Sequence, residues 1–432
     1  MKRTGAVAAL WSACALFAES PRVPEALVAA ESASLEALYI HLHRNPELSL
    51  EEKETARRIA EELRAAGFEV TTGVGGHGVV GVLRNGAGPT VMVRTDFDAL
   101  PVTEKTGLPY ASTVRTRDAQ GREVGVMHAC GHDMHMTVFV GTARLLARLK
   151  DRWRGTLVMI GQPAEELGVG AAAMLKDGLF SRFPRPDYAL ALHVDAELEA
   201  GKIGYREGFV FANVDSLDIT IYGVGGHGAY PHLSKDPIVL AAQVILGLQT
   251  IVSREIRPLD PAVVTVGSIH GGTKHNIIPE QVDLQLTVRS FSDETRERIL
   301  SSIRRITVET ARAAGVPPDR EPSVKLDSER FTPATYNDPA LVRRLVPVWK
   351  RELGEDNVVE RDPEMGGEDF SRYGRVEPKI PIVMFRLGVV DPPRMAQPKP
   401  SLHSPLFWPA LHPTIETGVR AMTAAVLELM AK

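Results

Sequence analysis

The sequence predicts an α/β protein with a mixed, mostly parallel sheet flanked by helices and interrupted by a ferredoxin-like βαββαβ unit. Three observations predict it. Short apolar runs without alternation, at 79–83, 90–93, 156–160 and 188–192, are separated by helical stretches, the pattern of strands buried on both faces. From about Val210 the order becomes strand, helix, strand, strand, helix, strand. Helical and strand patterns then resume from Asp338 and continue to Leu429, so the second unit is inserted in the first. A chain of 432 residues has room for both.

In chain order, Lys2-Arg3, an apolar stretch at 5–18 and Glu19-Ser20-Pro21 have the shape of a signal peptide over residues 1–20, which predicts export to a periplasmic or external space. The alternative is an amphipathic N-terminal extension of a cytoplasmic protein. There are two cysteines, Cys14 and Cys130, and removal of the signal would leave Cys130 as a single thiol. Helices are predicted over 25–44 and 51–66, the second from Ala56, Ile59, Ala60 and Leu63 at helical spacing before a stop at Gly67. A third helix, 134–150, separates the strands at 90–93 and 156–160. In the inserted unit the strands are 216–222, 262–270, 281–290 and 323–330, with helices over 237–254 and 293–314. The domains are therefore 24–208 with 326–432, and 209–325 between them. Residues 391–413 are rich in Pro and lack periodicity.

Composition excludes several classes. Fifty Lys and Arg against 54 Asp and Glu leave a net charge of −4 with no basic block, so a nucleic-acid surface lacks its electrostatic footprint. No uninterrupted apolar run reaches the 18 residues or more of a membrane span.

The densest chemistry is Met127-His128-Ala129-Cys130-Gly131-His132-Asp133-Met134-His135, just before a helix, where thiolate and neutral imidazole are good ligands for zinc and related ions. The alternative is a buried structural Cys beside solvated histidines; His128 and His135 are read as bystanders. Glu165-Glu166 follows the strand ending at Ile160. Glu51-Glu52 and Glu61-Glu62 are comparison pairs, read as solvated charges on helices. His193 ends the strand at 188–192, and Asp96 and Asp98 follow the strand at 90–93. Ligand sites in open α/β sheets gather outside the carboxyl ends of the strands, so these residues share one rim. Together they favour a polynuclear metal site, in which two divalent ions activate water and polarise a carbonyl while a nearby carboxylate takes a proton. Gly73–Gly78 and Gly223–Gly228 both match G-x-G-x-x-G, but neither opens a helix directly, so nucleotide binding is rejected.

Seven motifs in order carry a family resemblance: Asp96-Phe97-Asp98-Ala99-Leu100-Pro101, His128-Ala129-Cys130-Gly131-His132-Asp133, Gln162-Pro163-Ala164-Glu165-Glu166, Gly226-His227-Gly228-Ala229-Tyr230-Pro231-His232, Asn276-Ile277-Ile278-Pro279, Gly366-Gly367-Glu368-Asp369-Phe370 and Leu402-His403-Ser404. The chain resembles the two-metal aminoacylase and carboxypeptidase family. It is most similar to the amidohydrolase branch that includes hippurate hydrolase, N-acyl-amino-acid hydrolases and auxin-conjugate hydrolases.

The resemblance implies a zinc-exopeptidase-like catalytic domain with an inserted dimerisation domain. It also implies that Cys130, His132, Glu166, His193 and His403 bind two divalent ions, zinc or manganese, with Glu165 as general base. His403 implies that the Pro-rich stretch is an ordered loop near the site. His227 would reach the partner subunit's site and stabilise the oxyanion, which implies a homodimer. Asn276 and Arg289 would hold the substrate's amide or carboxylate, although Arg289 also reads as a strand-end surface charge. Asp98 would orient a ligand. Asp96-Phe97-Asp98 stands where the wider family has His-x-Asp, and a thiolate where it has a bridging carboxylate; the branch shares both changes, and the bridging ligand and the metal stay open. The expected reaction is hydrolysis of N-acyl amino acids. A carboxypeptidase or dipeptidase, a non-catalytic binding protein of the same fold and a Cys130 nucleophile are the alternatives, and Glu165 beside the ligands argues against the binding protein.

Overall fold

The computed structural model describes residues 22–118 and 120–431. The segment 1–20, read as an export signal, and Cys14 within it lie outside the described residues. The chain forms helices α1 (Glu25–Arg44) and α2 (Lys53–Ala65), strands β1 (Glu69–Val74), β2 (Gly78–Asn85) and β3 (Thr90–Asp96), helix α3 (His132–Arg148), then β4 (Gly155–Gln162), β5 (Tyr188–Glu199) and β6 (Ile203–Tyr205). Next come β7 (Asn213–Tyr222), α4 (Pro237–Thr250), β8 (Ala262–Gly271), β9 (Gln281–Ser290), α5 (Asp293–Ala313) and β10 (Ser323–Leu326). Helix α6 (Pro339–Leu353), β11 (Val358–Glu360), β12 (Ile382–Val390) and α7 (Leu411–Leu429) complete it.

Eight strands make one sheet in the order β1-β2-β4-β3-β5-β12-β6-β11. Its centre, β4-β3-β5-β12, is parallel, and these strands are apolar because both faces are covered. On one face α1, α2, α3, α6 and α7 bury Leu38, Ile59, Leu63, Phe139, Trp349 and Val419. The other face packs Met92, Ile160, Met174, Phe370 and Tyr373, with Val210 and Phe211 from the start of the passage to the inserted unit.

The inserted unit is a four-stranded antiparallel sheet, β8-β9-β7-β10, with α4 and α5 on one face over a separate core of Ile219, Val244, Leu284 and Ile303. This is the ferredoxin-like order expected from βαββαβ. Helix α4 buries Leu240, Ala241, Val244 and Leu248 on this sheet, while Ile238, Val239 and Leu246 are exposed. Being apolar on two faces, 237–255 is long and apolar enough to cross a membrane by length and composition, although Gln243 and Gln249 break its apolar run. The two Gly-rich repeats fold differently: the first is the turn of the β1–β2 hairpin, and the second leads into a short strand at Gly226–His227.

Candidate metal centre

The site begins where the central strands part. β3 pairs with β4 as far as Asp96↔Gln162, but with β5 only through Val91↔Tyr188, Met92↔Ala189 and Val93↔Leu190. Beyond Leu190 a gap opens beside β3. β5 itself continues to Glu199 along β12, so His193 lies within a strand rather than at its end. It is the pairing with β3 that stops, not the strand.

Gly131 caps α3 with φ 77°, a left-handed conformation that glycine adopts without strain, and a Cβ there would lie 2.7 Å from Val194 Cγ2. This tight turn sets Cys130 and His132 on either side of it. Cys130 Sγ is 3.6 Å from His193 Nε2. His403, itself at φ 66°, donates its backbone N–H to the Ala129 carbonyl at 2.8 Å, which docks the Pro-rich loop on the same turn. His403 Nε2 is 3.6 Å from Glu166 Oε1, and His132 Nε2 is 3.9 Å from Glu166 Oε1 and from Glu165 Oε2.

The donor atoms fall into overlapping groups. Those of Cys130, His132 and His193 lie within 4.8 Å of one another, and so do those of Cys130, Glu166 and His403. Cys130 belongs to both. Among the described residues His132 Nε2 and Glu166 Oε1 find no hydrogen-bond partner although both are buried, a lack that a bound cation would satisfy. Thiolate, imidazole and carboxylate are the donors that suit zinc and related ions, so these residues fit two divalent cations.

The neighbours aim the ligands. His132 Nδ1 contacts the Asp98 carbonyl at 2.8 Å and His193 Nδ1 contacts the Val194 carbonyl at 2.8 Å, so each ring presents Nε2 to the centre. Asp98 Oδ2 accepts from Ser49 Oγ at 2.7 Å and from the Glu166 N–H at 2.9 Å. His135, expected to be a bystander, is fully built in: Nδ1 faces Asp96 at 2.7 Å and Nε2 accepts the Val194 N–H at 2.9 Å, next to His193. His128 is buried, neither ring nitrogen has a hydrogen-bond partner among the described residues, and burial pushes it down to about 4.

Negative charge is in excess here. Burial, then Glu368 and Glu166, holds the Glu165 carboxyl well above its usual range, and burial carries Glu166 up to about 7 against the pull of His132. Burial and the neighbouring Glu166 and Glu165 likewise push the Cys130 thiol well above its usual range. Divalent cations are the counter-charge such a set of donors calls for.

Sequence reasoning gave no role to Arg94, Glu368 and Asp369, which lie buried beside Glu165. It misread Glu52. That carboxyl is not a solvated charge: it is fully buried and accepts the Ala164 N–H at 2.7 Å, because α2 starts one residue later and turns Glu52 inward.

A cavity of about 730 Å³ is lined by Cys130, Glu165 and His403 of the centre and by Thr287 and Arg289 of the inserted sheet. Arg289 donates to Thr287 Oγ1 at 3.1 Å and to the Met365 carbonyl at 3.4 Å; among the described residues no carboxylate pairs with it. His227 and Asn276 are not brought into this cavity. They sit together on a short exposed ribbon, Gly226–His227 with Ile277–Ile278, where the Gly228 N–H donates to the Asn276 carbonyl at 2.9 Å.

The chain is 37% identical to thermostable carboxypeptidase 2 of Saccharolobus solfataricus over 80% of this chain and 84% of that one. It is 36% identical to N-acetyldiaminopimelate deacetylase of Limosilactobacillus reuteri over 89% and 94% of the two chains. The crystal structure of a Bacillus subtilis dinuclear metal binding peptidase from the M20 family superposes with a TM-score of 0.74 at 30% identity, covering 92% of this chain and 98% of that one. The profile of Peptidase family M20/M25/M40 matches residues 92–428, a span that holds all five candidate ligands and Glu165, and the chain belongs to that family.

Proposed function

We propose that this chain, a metal-dependent amidohydrolase, cleaves N-acyl amino acids to a carboxylic acid and a free amino acid. Cys130, His132, Glu166, His193 and His403 would hold two divalent ions, zinc or manganese. The observation that carries the reading is Glu165, a buried carboxylate beside two overlapping sets of ligands, in a cavity also lined by Arg289, which has no acidic partner among the described residues. With two divalent ions held by these residues, the site would gain Lewis acidity toward the scissile carbonyl and toward the attacking water. Glu165 takes a proton from the attacking water and returns it to the leaving nitrogen as the C–N bond breaks. Arg289 binds the substrate's carboxylate, and Asp98 keeps His132 and the Glu166 backbone in place.

His227 of the partner subunit completes the site by donating to the carbonyl oxygen as negative charge grows on it, with Asn276 beside it. Exposed Tyr230, Leu233, Ile238, Val239 and Leu246 on the inserted unit support a second copy as the partner. In this reading 24–208 with 326–432 carries the chemistry, 209–325 dimerises and covers the site, and 1–20 directs export.

The relative named as a deacetylase supports N-acyl substrates. The one named as a carboxypeptidase favours short peptides as a second reading. Release of free amine from metal-loaded enzyme, with N-acetyl, N-benzoyl and fatty-acyl amino acids beside dipeptides, separates them. Chelator-sensitive release is expected, faster from N-acyl amino acids, and Glu165→Gln should lose about 10²- to 10⁴-fold in kcat while keeping its metal. Faster dipeptide cleavage would favour the peptidase, and no release from either class would sink both readings.

A further inference from the structure

Glu165 and Glu166 follow a strained residue. Ala164 has φ 51°, a left-handed conformation unfavourable for any residue with a Cβ, and it is fully buried. Something must hold the backbone there. The Ala164 carbonyl accepts the N–H groups of Val169 and Gly170, and the Glu165 carbonyl accepts that of Gly168 at 2.7 Å. On the amide side, the Ala164 N–H donates to Glu52 Oε1 at 2.7 Å, and the Glu166 N–H donates to Asp98 Oδ2 at 2.9 Å. Asp98 is in turn held by Ser49 Oγ at 2.7 Å. Thus the N–H groups of the residues before and after Glu165 are both tied, one directly and one through Asp98, to the turn that precedes α2.

We propose that Glu52, supported by Ser49, is a positioning residue that fixes the Ala164 peptide and so aims the Glu165 carboxylate at the reacting centre. The inference rests on the reading of Glu165 as general base. Among the described residues the Glu52 side chain hydrogen-bonds to none of the five candidate ligands, and its second oxygen, Oε2, is buried without a partner. Its role is that of an acceptor and not of a charge. Burial and the nearby Asp98 push Glu52 up to about 7, so its neutral form is readily reached, and a neutral acid still accepts an N–H. A glutamine offers the same oxygen; a leucine or a shorter aspartate does not.

The test compares Glu52→Gln, Glu52→Leu and Glu52→Asp in the full-length metal-loaded enzyme, reading kcat and KM separately and the metal retained after dialysis. The Gln variant should keep kcat within about threefold. The Leu and Asp variants should lose about 10- to 100-fold in kcat, the scale of a misplacement near 1 Å, with KM and metal content close to wild type. A merely structural role would lower stability without that split or the rescue by Gln. Wild-type kcat in Glu52→Leu, or in Glu52→Asp should the leucine variant not fold, would overturn the proposal, as would Gln falling as far as Leu. Glu165→Gln run in parallel separates the two levels. If it loses turnover while Glu52→Leu does not, only the inference fails; if it keeps turnover, the reading of Glu165 fails and the inference with it.

Discussion

Arg94 is surrounded by acids in the protein interior. Its guanidinium reaches Asp96 at 2.7 Å, Glu368 at 2.9 Å and Asp369 at 3.1 Å, and Nε donates to Gln162 Oε1 at 3.1 Å, all fully buried. Only a planar fork with five donors can serve that many acceptors at once. Arg94→Met should therefore cost about 3–5 kcal/mol of stability, the range for removing one partner of a buried ion pair, with Arg94→Lys between it and wild type. Denaturant titration checks this, and a methionine variant unfolding at the wild-type midpoint would show that the three acids take up protons at little cost. At this scale the sequence was legible only where residue type implies chemistry. A Cys between two His, or a Glu-Glu pair after a strand, could be picked out. Arg94, His135 and Glu52 could not, because their roles come from what surrounds them and an arginine or glutamate is most often solvated. Arg289, read both as substrate ligand and as surface charge, turns out to line the cavity.

Elements were legible where a periodic stripe is long. Helices α1, α3 and α5 fall within two residues of the sequence reading at each end, whereas β1 was not seen, because it is an edge strand with mostly exposed or half-exposed residues. How the elements attach to each other was hidden. The junction of α1 and α3 is a buried ion cluster: His43 on α1 faces Asp133, in the first turn of α3, at 2.7 Å, and Glu104 at 3.2 Å. Burial alone would push His43 down, but hydrogen bonds to Asp133 and Glu104 outweigh it and raise the imidazole to about 9. A folded value above the unfolded one near 6.5 means that this stabilisation is complete below pH 6.5 and is lost as pH rises through 9. It amounts to roughly 3 kcal/mol. Urea unfolding at pH 6.5 and 9.5 should show the wild type losing stability on that scale, and His43→Gln starting lower and changing much less across the same window. An equal decline in both proteins would place the loss elsewhere.

The whole molecule explains why two of the expected site residues stand apart from the rest. The end of β4, the middle of β5, one tight turn and the Pro-rich loop converge on the five candidate ligands within one chain, but His227 and Asn276 ride on an exposed ribbon of the inserted unit and line no part of that chain's own cavity. A second copy that presents its ribbon to this cavity would supply them and would cover exposed apolar side chains such as Leu233 and Leu246. Subunit mixing tests this directly. Glu165→Gln and His227→Ala should each be nearly inactive as homodimers, since every site lacks one of the two groups. In a mixed dimer the site of the His227→Ala subunit keeps its own Glu165 and receives His227 from the Glu165→Gln partner, while the other site lacks both. Equal mixing makes half the dimers mixed, each with one intact site of two, so about a quarter of wild-type activity should return after subunit exchange. If exchange is demonstrated by mass or fluorescence and activity stays at the level of the parents, His227 acts within its own chain or not at all, and the ribbon has another role.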